Sequence, residues 1–170
     1  TKIGNGVFDN STNLKSITIP NSVTTIGEES FYRCTGLKSI TLPNSIKEIN
    51  KYAFANCHDL TSITIPNNIT NINEGTFLGC KNLISITIPD SVISIDANAF
   101  WECERLKSIK IPNSVRSKGE TAVMYTKVEN DKCVYCWRSG HRPEKCWKVR
   151  DRNLRKDILY EQKRCFKCLG

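Results

Sequence analysis

A unit of 23 residues recurs along this chain, and that period constrains its fold more than any other feature. The first complete copy begins at Leu14 and reads LKSITIPNSVTTIGEESFYRCTG. Further copies begin at Leu37, Leu60 and Leu83, and a fifth, LKSIKIPNSVR, begins at Leu106 and then loses the pattern. Residues 3–13 are the second half of a preceding copy, because Ile3, Gly4 and Phe8 align with Ile26, Gly27 and Phe31. Ser11 stands where the later copies carry cysteine.

Each column of the repeat has a physical meaning. In L-x-x-I-x-I the apolar positions alternate with Ser or Thr, the period-two pattern of a half-buried strand. Ile17, Ile40, Ile63, Ile86 and Ile109 form one inward column; Ile19, Leu42, Ile65, Ile88 and Ile111 form the next. Proline follows at 20, 43, 66, 89 and 112 and ends the ladder, since it has no N–H to donate. The short polar residues after it suit a turn. A second apolar stretch, Val23, Ile26 and Phe31 in the first copy, closes the coil on its other side. One turn cannot bury its own apolar face, so the turns must stack, about 4.8 Å apart. The expected fold is an α/β or mainly β right-handed solenoid over residues 1–116, with one strand per turn.

These residues, summarised as L-x-x-I-x-I-P-x-S-V-x-x-I-x-x-x-A/S-F-x-x-C, resemble the BspA-like class of leucine-rich repeats. That class is known mainly from bacterial and protist surface or effector proteins that bind other proteins. The resemblance implies adhesion or recognition and names no partner.

Two features of the repeats invite chemical readings. Cys34, Cys57, Cys80 and Cys103 recur at the repeat interval. Stacking brings their Cα atoms within disulfide range, but side chains in one column point in parallel, so they are expected to be core thiols. Cys57-His58-Asp59 resembles a catalytic or metal-binding cluster. His58 follows a core cysteine, however, and is expected in a solvated turn facing away from the thiol. With no Ser-His-Asp order, Gly-rich phosphate loop or paired carboxylates in this region, a binding scaffold is expected and not an enzyme. Its candidate partner face is the pair of outward strand columns: Ser39, Ser62 and Ser85, with Thr41, Thr64 and Thr87. Ser16, Ser108, Thr18 and Lys110 extend these columns.

Charge divides the chain. Residues 1–116 carry 11 Lys/Arg and 10 Asp/Glu, whereas 117–170 carry 14 and 7, so nearly all of the net +8 lies in the last third. Five of the nine cysteines lie there too. Cys133, Cys136, His141 and Cys146 have the spacing C-x2-C-x4-H-x4-C. Three thiolates and one imidazole make a closed tetrahedral site for one Zn²⁺, and Gly140 permits the tight turn before the histidine. This stretch resembles the CCHC zinc knuckle of retroviral and retrotransposon Gag proteins, and the longer run to Gly170 resembles the paired knuckles of BEL/Pao-type retroelements. The resemblance implies binding of single-stranded RNA or DNA. Tyr135, Trp137 and Trp147 would stack on bases, and Arg138, Arg142, Lys145 and Lys148 would neutralise phosphates. Val134 stands where that family often has an aromatic residue, and the second unit, Cys165-Phe166-Lys167-Cys168, lacks its histidine and last cysteine within this sequence.

The expected organisation is therefore a solenoid over 1–116, a linker or degenerate cap over 117–132, a knuckle over 133–146, and a basic linker with a truncated second knuckle over 147–170. Two functions fit. The chain is a protein-binding scaffold with a zinc-dependent nucleic-acid-binding tail, or it is an interaction or adhesion scaffold whose retroelement-like tail is incidental. No apolar run reaches membrane-spanning length. An uncapped solenoid end implies self-association. Reduced cysteines and a zinc site favour an intracellular setting, while the repeat class allows the cell surface.

Overall fold

Parallel pairing of equivalent residues from successive repeats builds the fold. The computed structural model describes residues 1–118 and the strand residues 127–128. In chain order the first strands are β1 (Lys2–Ile3), β2 (Ser16–Thr18), β3 (Thr25–Ile26), β4 (Ser39–Thr41), β5 (Glu48–Ile49) and β6 (Ser62–Thr64). They continue as β7 (Asn71–Ile72), β8 (Ser85–Thr87), β9 (Ser94–Ile95), β10 (Ser108–Ile109), β11 (Ser117–Lys118) and β12 (Lys127–Val128). The three-residue strands form one parallel sheet in the order β2-β4-β6-β8. Its register sets Ser16 beside Ser39 and Ser62 beside Ser85, a shift of one repeat each time.

A second parallel stack runs along the V-x-x-I half of each repeat, as β1-β3-β5 and β7-β9-β11. Ile3 pairs with Ile26 and Ile26 with Ile49, which places the first half-repeat in register with the complete ones. Each turn therefore contributes two strands and not the single one expected. The strand of the L-x-x-I-x-I half also begins two residues after the leucine and ends two residues before the proline. The proline carbonyl then accepts the N–H three residues on, as in Val23 to Pro20 at 3.0 Å and Ile69 to Pro66 at 3.1 Å, which turns the chain into the second half.

The third side of the coil is a ten-residue arm, such as 27–36, and it settles the choice between the α/β and mainly β readings. No helix occurs among the described residues. In the arm, alternate N–H groups leave the turn. Glu29, Phe31 and Arg33 donate to the carbonyls of Lys51, Ala53 and Ala55, at 2.9 to 3.0 Å. The intervening Tyr32 and Cys34 donate back three residues within their own turn. That alternation needs two left-handed residues per arm, and the positive φ values fall in two columns: Gly6, Glu29, Tyr52, Gly75, Asn98 and Asn10, Arg33, Asn56, Gly79, Glu102. A helix would send every N–H back along its own chain, so the stacked arm excludes it.

The core is a set of ladders. Ile40, Ile63, Ile86 and Ile109 are buried, as are Leu42, Ile65, Ile88 and Ile111 and the leucines 37, 60, 83 and 106. Phe8, Phe31, Phe54, Phe77 and Phe100 stack face to face with ring centroids 5.1 to 5.8 Å apart and planes within 13°. Their spacing exceeds the strand spacing because the rings are offset, the arrangement that aromatic quadrupoles favour. No helix among the described residues is long and apolar enough to cross a membrane.

Candidate recognition face

The sheet β2-β4-β6-β8 presents its outward residues to solvent. Ser39, Ser62 and Ser85 are exposed, and so are Thr41, Thr64 and Thr87, while Ile40, Ile63 and Ile86 between them are buried. Ser16, Thr18 and Lys110 continue the exposed columns. Because the pairing is in register, the face is a lattice of hydroxyls repeating once per turn.

A third column, immediately before the serines, escaped the sequence reading: Lys15, Lys38, Thr61, Ile84 and Lys107, all exposed. The backbone ladder extends into it, with Lys38 N–H donating to Lys15 O at 3.1 Å, Thr61 to Lys38 at 3.3 Å and Ile84 to Thr61 at 3.0 Å. Ile84 is 51% exposed, one of three large apolar side chains so displayed among the described residues. The signal was legible only as a deviation, since one isoleucine interrupts a polar column. A shallow open hollow of about 590 Å³ lies at the far end of the face, lined in part by Thr87, Pro89, Asp90, Lys110 and Pro112.

Charge is segregated around the coil. Of the ten carboxylates in residues 1–116, eight lie in the turn arms: Asp9, Glu28, Glu29, Asp59, Glu74, Asp96, Glu102 and Glu104. One of these organises a small polar cluster. Glu74 accepts from Tyr52 Oη at 2.6 Å and from Lys51 Nζ at 3.0 Å. Those bonds hold the Glu74 carboxyl below its usual range and, through the same hydrogen bond, push the Tyr52 phenol up to about 12. Tyr52 and Glu74 are half-buried, whereas the Lys51–Glu74 ion pair is exposed and by itself stabilises the arm only weakly.

The repeated cysteines are free and buried. Each thiol points at a carbonyl of the preceding repeat: Cys34 at Phe8, Cys57 at Phe31, Cys80 at Phe54 and Cys103 at Phe77, all 3.1 to 3.2 Å away. Burial pushes Cys34 up to about 11 and Cys103 up to about 12, and raises Cys57 and Cys80 still further. Such thiols are protonated donors and not nucleophiles. His58 lies in a turn, as expected, and is half-buried; the Asn82 N–H donates to its backbone carbonyl at 3.1 Å. No group of three or more His, Cys, Asp or Glu residues placed to hold a metal exists among the described residues. The zinc ligands expected from sequence, Cys133, Cys136, His141 and Cys146, lie outside those residues, as do Tyr135, Trp137, Arg138, Arg142, Lys145, Trp147 and Lys148.

Comparison with known proteins fits this geometry. The family model described as a BspA type leucine rich repeat region matches residues 1–129 in six copies. The chain belongs to the BspA-type leucine-rich repeat family. Among solved structures, this BspA-type chain is similar to a leucine-rich repeat protein from Bacteroides ovatus, at 34% identity over 65% of this chain and 31% of that one, with a TM-score of 0.62. It is also similar to a leucine rich cell surface protein from Faecalibacterium prausnitzii, at 30% identity over 78% of this chain and 44% of that one, with a TM-score of 0.59. The T. pallidum leucine rich repeat protein shares the fold, with a TM-score of 0.65 at 24% identity over 95% of this chain and 76% of its own. The chain thus spans less than half the length of the first two relatives. A search of curated proteins gave no match.

Proposed function

We propose that this chain is a non-catalytic recognition scaffold, whose BspA-type solenoid offers the outward face of β2-β4-β6-β8 to a protein partner. The exposed, in-register Ser/Thr lattice carries this reading. It is held by buried isoleucine columns beneath it, so its side chains are free for contact without cost to the core. The relative from Faecalibacterium prausnitzii is described as a cell surface protein, which suits a role in adhesion. Selection of binders from a displayed peptide library against the full chain tests the site. Binders should lose affinity for Thr41→Arg/Thr64→Arg, whose melting curve should match that of the parent. Binders indifferent to that variant would place recognition elsewhere.

A second reading rests on the spacing C-x2-C-x4-H-x4-C at Cys133, Cys136, His141 and Cys146. This tail is proposed to fold around one Zn²⁺ and to bind single-stranded RNA or DNA through its interleaved aromatic and basic residues. One equivalent of zinc per chain, lost in Cys146→Ala, is the expected result. Absence of zinc uptake would leave only non-specific attraction by positive charge.

A further inference from the structure

Outside the turn arms, residues 1–116 carry seven Lys/Arg and two Asp/Glu, the reverse of the balance within them. On the outward face of the hydroxyl-bearing sheet and its bordering column the imbalance is complete. Lys15, Lys38, Lys107 and Lys110 are exposed there, and the residues at the other positions are Ser, Thr and one isoleucine. The nearest carboxylates along the chain flank the face and do not lie on it: half-buried Asp59 two residues before Thr61, Glu104 three residues before Lys107, and Asp90 three residues after Thr87. None of these four lysines is in a salt bridge among the described residues, unlike Lys51 and Lys81 of the arms, which pair with Glu74 and Glu104. The cations stand at the two ends of the face, and Ile84 lies between them.

Resting on the recognition reading above, we infer that the partner of this face is an extended acidic peptide segment with an apolar side chain between its carboxylates. The dimensions favour a peptide. Lys38 and Lys107 are three turns apart, about 14 Å at the spacing of paired strands, and Lys15 and Lys107 four turns, about 19 Å. An extended chain crossing the strands advances about 3.4 Å per residue, so carboxylates roughly four to six residues apart meet both ends of the face. The apolar residue between them covers Ile84, and the hydroxyl columns are donors and acceptors for its backbone. A uniformly charged polyanion would match the lysines but would leave Ile84 facing charge.

Fluorescence anisotropy of the full chain with a labelled ten-residue Glu-Ser-Val-Ser repeat peptide, whose Glu and Val side chains share one face when extended, tests this, alongside the peptide with Gln for every Glu and a heparin fragment of equal charge. Because the tail is itself strongly basic, Lys38→Glu/Lys107→Glu/Lys110→Glu is compared with Lys145→Glu/Lys148→Glu/Arg152→Glu, which changes net charge equally. The face variant should lose about tenfold or more in affinity for the acidic peptide and the tail variant no more than about threefold, with Ile84→Ser weakened as well. Equal losses in both variants would reduce the effect to net charge and overturn the proposal. Equal binding of the Gln peptide, with loss in Thr41→Arg/Thr64→Arg, would overturn acidic selectivity while leaving the recognition reading intact. Heparin binding tighter than the peptide and lost only in the face variant would assign the face to a polyanion instead. No binding of the acidic peptide would also overturn it.

Discussion

The Cys57 thiol lies 3.2 Å from the carbonyl oxygen of Phe31, twenty-six residues back in the chain. The same bond recurs at Cys34, Cys80 and Cys103, so the cysteine column ties each turn to the one before it. A thiol can donate only while protonated, and burial enforces that state by raising each pKa. The folded chain should resist iodoacetamide at these four positions at neutral pH. As pH rises, Cys34 should be alkylated before Cys57 and Cys80, because its pKa is raised least. Peptide mapping by mass spectrometry separates them from the tail cysteines, and rapid labelling of Cys80 in the folded protein would contradict the assignment.

The same shifts fix a pH dependence. In the unfolded chain these thiols ionise near 9, whereas folded Cys34 and Cys103 ionise near 11 and 12. Between those values the unfolded state has fewer bound protons than the folded one, so stability falls as pH rises. The melting temperature should decline from pH 9 toward 11. Replacing all four cysteines with alanine should flatten that decline while lowering stability at neutral pH, since it leaves small cavities. An unchanged slope would show that other groups govern the alkaline limit.

The two faces of the strand differ sharply in tolerance. Ile63 is buried among its column neighbours, so Ile63→Asp places an unpaired charge in the stack and should cost more than about 4 kcal/mol. Thr64→Asp, one residue later on the exposed lattice, should change stability by no more than about 0.5 kcal/mol. Chemical denaturation of both variants checks this, and similar losses would sink the assignment of faces.

Backbone conformation gives a prediction of opposite sign for two kinds of residue. Glu29 and Glu102 occupy left-handed backbone at φ 54° and 58°. Changing either to Gly relieves crowding of the Cβ and should stabilise the chain by about 0.5–1 kcal/mol, net of the greater freedom of glycine when unfolded. Gly75→Ala should destabilise it, because a Cβ there would collide with the Tyr52 ring of the preceding arm. Thermal melts that rank Gly75→Ala above the parent would refute the packing described for this column.

Ser30 offers a stabilising substitution in the core. It is fully buried, and its hydroxyl has no hydrogen-bond partner among the described residues. Ala53 and Ala99 occupy the equivalent positions of later repeats, and both are buried. Ser30→Ala removes the desolvated hydroxyl without creating a sizeable void and should stabilise by about 1 kcal/mol. A loss of stability would indicate that the hydroxyl is satisfied.

The sequence by itself determined the period, the inward columns and the exposed hydroxyl lattice. Alternation at Ser39-Ile40-Thr41 assigns each side chain to a face, and a 23-residue repeat of that alternation leaves one register in which Ser39 meets Ser62. These are local patterns, readable one residue at a time. The second strand of each turn was hidden because two-residue segments such as Thr25–Ile26 have too little alternation to register as strands, and they form only when Ile26 pairs with Ile49 of the next turn. The arm was hidden for the same reason. Glycine marks only three of its ten left-handed positions, and at Glu29 and Tyr52 it is the N–H bonds to Lys51 and Glu74 that hold the backbone there. The protonated cysteine bonds, the partial burial of His58 and the column joining Lys38 to Ile84 likewise exist only between turns. Contacts made across the stack depend on which residues become neighbours after folding, and that was decided by the tertiary structure.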